Sequence, residues 1–153
     1  MRILKKIALI ALIVLVLMQF IPRNVNKTKQ ILTTDITNNY PVPVEVESIL
    51  KAACYDCHSN NTRYPWYAHV QPFRLFLDRH IKHGKEELNF SEYGSYSGKK
   101  QFNKFRSIAE SLEKGTMPLK SYRLMHEDAR LTETERNLML KWVEEMRSLD
   151  KKE

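Results

Sequence analysis

Residues 44–58 read Val-Glu-Val-Glu-Ser-Ile-Leu-Lys-Ala-Ala-Cys-Tyr-Asp-Cys-His, and this stretch decides the fold that we expect. Its apolar side chains recur at helical spacing up to the first cysteine: Val44, Val46, Ile49, Leu50 and Ala53. The pattern predicts an amphipathic helix that ends at two cysteines and a histidine. The chain of 153 residues contains no other cysteine, so Cys54 and Cys57 are interpreted as a pair.

The pentapeptide Cys54–His58 has the spacing of covalent haem attachment. Two thiols separated by two residues at the end of a helix can reach both vinyl groups of one porphyrin and form thioethers. The adjacent His58 then lies beneath the ring, where its imidazole can bind the iron. We therefore predict one covalent haem c, attached through Cys54 and Cys57, with His58 as the proximal ligand.

Three other interpretations of the cysteine pair stay open. A thioredoxin-like redox pair needs a βαβ setting, whereas the sequence around the motif predicts only helices. A structural zinc site needs four ligands, and no second pair of cysteines or histidines at suitable spacing accompanies the motif. A disulfide between Cys54 and Cys57 would suit an exported protein, but it would leave His58 without a role.

Three further helices are predicted after the motif. One starts near Pro72 and stops at Gly84, and the next stops at Gly115. The last begins with a capping box of Thr132 and Glu135. Their apolar positions are, in order, Phe73, Phe76, Leu77, His80 and Ile81; Phe102, Phe105, Ile108, Ala109 and Leu112; and Leu138, Met139, Trp142, Val143, Met146 and Leu149.

No segment alternates apolar and polar residues as a strand does, so the predicted fold class is all-α. The stretches between the predicted helices are long loops with few contacts of their own: 54–71, 85–98 and 115–131. A haem would give these loops an apolar surface, stabilising them by about 25 cal/mol per Å² of apolar area buried. We expect a cytochrome c-like small helical domain, residues 44–150, wrapped around one haem.

The N-terminus has the order of an export signal. Three basic residues precede an apolar run over residues 7–21: Arg2, Lys5 and Lys6. Because no small residues mark a cleavage point, we expect residues 1–22 to stay as a single transmembrane anchor helix of about 20 residues. The polar stretch 23–43 lacks apolar periodicity and is interpreted as a flexible linker.

The predicted covalent haem also orients this anchor. Haem is attached to bacterial c-type proteins outside the cytoplasm, so we expect a single-pass protein of the bacterial cytoplasmic membrane. The haem domain then lies on the periplasmic or extracellular side. The membrane is the partner that the N-terminal helix implies, and the sequence does not name a redox partner protein.

The net charge of +7 lies mostly outside the predicted domain. Residues 1–40 hold six basic side chains against Asp35 alone, which leaves +2 for residues 41–153. We therefore expect no nucleic-acid partner, because a domain with so small a charge has no basic footprint.

The sixth ligand of the iron is predicted from a loop between two helices. Met117 sits in Gly115-Thr116-Met117-Pro118, which resembles the Met-Pro ligand loop of class I cytochromes c. A thioether ligand there would raise the reduction potential relative to two imidazoles. The alternative is that Met117 only fills a gap in the core. His126 is the chief rival ligand, with three more histidines behind it: His69, His80 and His83.

Several motifs together resemble the bacterial haem-binding domain family with a CxxCH motif. They cover about residues 45–147 and are Cys54–His58, Tyr64–Tyr67, Leu88–Ser91, Met117–Leu119, Tyr122–Leu131 and Trp142. Members of that family look like small monohaem cytochromes c. The resemblance implies haem binding at Cys54, Cys57 and His58, with Met117 as the further ligand.

Three functions compete at this point. The favoured one is electron transfer by a six-coordinate haem at the outer face of the membrane. It needs no acid–base machinery, and the sequence offers no catalytic carboxylate pair, Ser-His-Asp order or phosphate loop, so we expect no enzyme. The second is a five-coordinate haem sensor or peroxidase-type accessory protein, in which Met117 does not bind iron. The third is a haem-free module that uses a disulfide.

Overall fold

The computed structural model describes residues 1–23, 25–28 and 30–150. The helices are α1 Arg2–Met18, α2 Ile36–Asn39, α3 Val44–Ala53, α4 Tyr55–His58, α5 Phe73–Glu87, α6 Gly98–Glu113, α7 Lys120–Met125 and α8 Glu133–Asp150. Three 3₁₀ turns lie between them: Trp66–His69, Phe90–Ser95 and Glu127–Ala129. Within the described residues the only β pairing is one bridge between Lys27 and Asn61, which confirms the all-α class.

The main core forms where α3, α6 and α8 pack against the 3₁₀ turn Phe90–Ser95. Trp142 of α8 meets Phe105 of α6 edge to face, with ring centroids 5.7 Å apart. The indole Nε1 of Trp142 also donates to the carbonyl of Pro41 at 3.0 Å. The buried members are Ile36, Val46, Ile49, Leu50, Phe90, Tyr93, Phe105, Leu112, Met139, Trp142, Val143 and Met146. Helical periodicity predicted most of the positions that α3, α6 and α8 contribute.

Two predicted helix boundaries are confirmed by hydrogen bonds and backbone geometry. At the start of α8 the backbone N–H of Glu135 donates to Thr132 Oγ1 at 3.2 Å, and the N–H of Thr132 donates to Glu135 Oε2 at 2.8 Å. This is the predicted capping box. At the other boundary α6 ends at Glu113, and Gly115 follows with a left-handed φ of 62°.

The predicted stop at Gly84 is wrong, because α5 continues to Glu87. Gly84 instead allows α5 to approach α4 closely: a Cβ atom there would lie 2.5 Å from the carbonyl oxygen of Cys57. The buried face of α5 also differs from the prediction, with Arg74, Leu77 and Ile81 buried and Phe73 and Phe76 exposed. This glycine therefore serves helix packing rather than helix termination.

Helix α1 is shorter than the predicted anchor over residues 1–22. It spans 17 residues, from Arg2 to Met18, because Gln19 and the next two residues form tighter turns and Pro22 cannot donate a backbone hydrogen bond. At about 1.5 Å per residue it is about 26 Å long, below the roughly 30 Å of a bilayer core. None of the helices in the described residues combines the length and the apolar composition that a membrane span requires. The predicted anchor helix is therefore not found.

The stretch 23–43 packs against the domain in its described part, which corrects the prediction of a flexible linker. Ile36 is fully buried in the main core. The backbone N–H of Thr28 donates to the carbonyl of Asn60 at 3.0 Å. Side chains of the stretch also take part: Tyr40 and Val42 pack against the main core, and the hydroxyl of Tyr40 donates to Gln101 Oε1 at 2.6 Å. These residues are separated by polar ones, so they leave no helical period in the sequence. Two residues of the stretch, Asn24 and Lys29, lie outside the described residues.

Candidate haem-binding site

The two cysteines lie on one tight helical turn. The carbonyl of Cys54 accepts hydrogen bonds from the backbone N–H of Cys57 at 3.2 Å and from that of His58 at 3.0 Å. Residues three apart in such a turn lie on the same side of the helix. The turn therefore brings the two thiols to one side, and His58 follows at once.

Both thiols are free and partly buried. Burial raises the pKa of the Cys54 thiol to about 12, and the neighbouring Cys57 adds to the shift. Burial also raises the pKa of the Cys57 thiol to about 11, with a further contribution from Asp56. Thiol–disulfide exchange sites lower the pKa of their attacking thiol instead. The electrostatics of Cys54 and Cys57 thus argue against a thioredoxin-like pair.

A backbone hydrogen bond orients the imidazole of His58. Its Nδ1 lies 3.0 Å from the carbonyl oxygen of Leu88. Because a carbonyl can only accept, Nδ1 carries the proton, which leaves Nε2 as the nitrogen able to bind a metal. Burial lowers the pKa of this imidazole, although the hydrogen bond to Leu88 opposes the shift. A neutral ring held through its Nδ1–H is the form in which histidine ligates metals.

Three adjoining cavities surround the motif. The first has a volume of about 270 Å³ and is lined by Cys54, His58, Met117 and apolar residues that include Leu50, Ala53, Ile108, Leu112 and Met139. The second, also about 270 Å³, shares Cys54, His58 and Met117 and adds Cys57. The third, about 290 Å³, shares Cys57 with the second and has aromatic walls that include Trp66, Tyr67, Phe73 and Phe76. Apolar space with a few convergent polar groups is typical of cofactor sites.

The end of α6 brings Met117 to the first two cavities. After Gly115 the backbone N–H of Thr116 donates to the carbonyl of Ser111 at 3.0 Å, which turns the chain back along the helix. Met117 is 40% exposed and lines the same two cavities as Cys54 and His58. Met117 is therefore not a core residue, whereas Met139 is buried in the core.

We expect Gly115→Ala to lower the free energy of unfolding by about 1 kcal/mol, because side chains with a Cβ disfavour a left-handed φ. A Cβ at this position would meet only open space, so the backbone conformation alone carries the cost. Urea unfolding measures the effect, and Gly115→Asn is the matched control because asparagine tolerates this conformation better. Wild-type stability of the alanine variant would contradict the role of Gly115 in the turn.

The other candidate histidines are placed differently. His126, the rival ligand, has its Nε2 2.8 Å from the hydroxyl of Tyr67, and its ring stacks on Tyr122 at 4.0 Å between centroids. It lines none of the three cavities just described. His80 and His83 line the second cavity, whereas His69 is exposed and contacts an arginine near the N-terminus. The structure thus brings Met117, and not His126, to the cavities that hold His58.

Asp56, between the cysteines, is a residue whose role the sequence did not reveal. Its side chain is buried and accepts a hydrogen bond from the backbone N–H of Arg63 at 2.7 Å and from the hydroxyl of Tyr122 at 2.5 Å. Burial and this hydrogen bond raise the pKa of Tyr122, so the phenol keeps its proton and donates. Asp56 therefore connects the motif to α7. In the sequence, the only indication of this role was the presence of an acidic residue between the two cysteines.

The fold and this site define a small helical protein with a candidate haem-binding site. Residues 13–145 match the haem-binding domain family, and because the match covers most of the chain, the chain belongs to that family. No curated protein and no solved structure matches it. The site fits haem, the group that the family binds. Its apolar cavities are lined by two thiols, a thioether and an imidazole whose Nε2 is free to bind a metal.

Proposed function

We propose that the chain is a monohaem cytochrome c-like electron carrier. One haem c is joined to Cys54 and Cys57 by thioethers, and its iron is ligated by His58 and Met117. The observation that carries this proposal is that both thiols, the imidazole and Met117 line adjoining apolar cavities. When bound, the haem supplies one-electron Fe(II)/Fe(III) chemistry.

The residues of this chain hold the group in distinct ways. Each thiol would add its S–H across a vinyl double bond of the haem, a reaction that needs no oxidant. The carbonyl of Leu88 keeps the ring of His58 in one orientation and makes Nε2 a stronger donor. The thioether of Met117 would favour the reduced iron, and the apolar walls of the cavities would limit the access of water.

Covalent attachment is tested by expressing the chain with a c-type haem maturation system and staining a denaturing gel for haem. We expect the wild type to stain, and a variant that carries both Cys54→Ala and Cys57→Ala to lose the stain. Colour that leaves the wild-type chain in acidified organic solvent would contradict a thioether-linked haem.

The assignment of Met117 predicts a difference between two variants. Met117→Ala should remove the ferric charge-transfer band of methionine ligation and lower the reduction potential, because the iron loses its thioether. His126→Ala is the matched control and should keep both properties. Optical spectra and redox titration of the matured proteins measure them. Loss of the band in His126→Ala alone would transfer the ligand role to His126.

The partial exposure of Met117 supports one alternative to the electron carrier. A ligand on a partly exposed turn can leave the iron, which would give a five-coordinate sensor or peroxidase-type site. Carbon monoxide separates the two functions: slow or absent binding by the reduced native protein supports the carrier. Rapid binding, at the rate of Met117→Ala, supports the alternative.

We also propose that the domain works at the outer face of the bacterial cytoplasmic membrane, held there by its N-terminal segment. Helix α1 supports this, since all its residues except Met18 are exposed although nearly all are apolar. Its first turns also carry the basic residues of an export signal: Arg2, Lys5 and Lys6. Cell fractionation with and without residues 1–22 tests the location, and wild-type haem protein in the cytoplasm would contradict it.

A further inference from the structure

A strip of polar residues interrupts the apolar wall beside His58. Lys104, Ser107 and Ser111 of α6 all line the first cavity. Residues three and four apart lie on one face of a helix, so the three side chains form a continuous strip. Apart from His58 and Glu87, the rest of this lining is apolar, and a helix that only packed against it would not place a lysine there.

The charge of Lys104 has no buried partner that explains its position. Its side chain is 22% exposed, and its Nζ lies 3.7 Å from Glu87 Oε2, on a side chain that is 83% exposed. Such solvated pairs contribute little free energy. Among the described residues, Glu87 is the only acid that forms an ion pair with Lys104, and it lines the same cavity. The side chain of Lys104 is largely covered beside an apolar cavity, a position in which a further anion would stabilise its ammonium.

We propose that Lys104 binds a propionate carboxylate of the porphyrin, with Ser107 and Ser111 beside it on the same face. The inference rests on the proposed function in one respect, namely that haem occupies this cavity. Because the thioethers would hold the vinyl edge of the porphyrin at the cysteines, the propionate edge would need residues of its own to bind it. Lys104 then sets how the porphyrin is turned in the cavity and selects porphyrins with free carboxylates.

The test uses the full-length, haem-free chain and two iron porphyrins that cannot form thioethers. Iron mesoporphyrin has ethyl groups in place of vinyl groups, and its dimethyl ester also lacks free carboxylates. Dissociation constants of both are measured for the wild type, for Lys104→Gln and for Lys104→Arg. Lys99→Gln is the matched control, because Lys99 is exposed on the same helix and its loss changes the net charge equally.

Lys104→Gln should weaken binding of iron mesoporphyrin about tenfold, the loss of one charge-assisted hydrogen bond, and leave binding of the dimethyl ester unchanged. Lys104→Arg should restore most of the affinity, and Lys99→Gln should alter neither. Equal losses for both porphyrins would show a structural role and overturn the proposal. A wild type that binds the free acid no better than the ester also overturns it. Neither porphyrin can form thioethers, so this experiment does not test covalent attachment. The haem stain tests covalent attachment, and the two proposals can fail independently.

Discussion

Asp56→Ala should lower the free energy of unfolding of the haem-free protein by about 3 kcal/mol. The carboxylate is 3% exposed and accepts hydrogen bonds from Arg63 and Tyr122. Its removal leaves the hydroxyl of Tyr122 without an acceptor, and hydrogen bonds to charged groups contribute about 1.5–3 kcal/mol each. Denaturant unfolding measures the loss. The haem stain should also weaken, because the turn that carries both thiols is no longer held against α7.

Asp128→Ala is the matched control for this experiment. Asp128 pairs with the same Arg63 at 3.3 Å, but its side chain is 51% exposed. Exposed pairs are worth less than about 1 kcal/mol, so this variant should unfold almost as the wild type does. Equal losses in the two variants would show that the charge of Arg63, and not the buried position of Asp56, determines the effect.

The predictions from sequence succeeded where the signal is local. The apolar stripe through Trp142 and the capping box at Thr132 and Glu135 involve residues a few positions apart. The helix that leads into Cys54 has the same character. These features depend on helical geometry alone, so one sequence is enough to infer them.

The predictions failed where a residue acts through distant parts of the chain. Asp56 is satisfied by Tyr122, 66 positions later. Ile36 belongs to the core although its neighbours are polar. The sequence did not single out Lys104 for a similar reason, because the cavity that it lines is formed by residues of several helices. No periodicity or spacing reports contacts of this kind.

The candidate iron ligands show the same difference between local features, which the sequence predicts, and long-range contacts, which it does not. Sequence reasoning paired His58 with the thiols because they are adjacent, but it left both Met117 and His126 open as the sixth ligand. In the fold, Met117 lines the cavities of His58, and the Nε2 of His126 lies against Tyr67. The position of the Met117 loop depends on how α6 packs, which the sequence around Met117 does not encode.

Gly84→Ala should disturb the candidate haem site directly, because it adds a methyl group where α5 contacts the motif. Its Cβ would lie 2.5 Å from the carbonyl oxygen of Cys57 and 3.2 Å from the Cβ of Cys57. A backbone atom cannot rotate away, so α4 and α5 must separate, at a cost of about 2–3 kcal/mol. We expect a matching loss in denaturant unfolding.

The same displacement should weaken haem attachment at one cysteine first. Gly84 touches Cys57, and its carbonyl also accepts from the N–H of Leu88 at 2.8 Å, the residue that orients His58. Peptide mapping after alkylation should therefore find more free Cys57 than free Cys54. Gly98→Ala is the control, because a Cβ there meets open space and alanine suits a helix. If both alanine variants keep wild-type stability and two thioethers, close contact between α5 and the motif does not position Cys57.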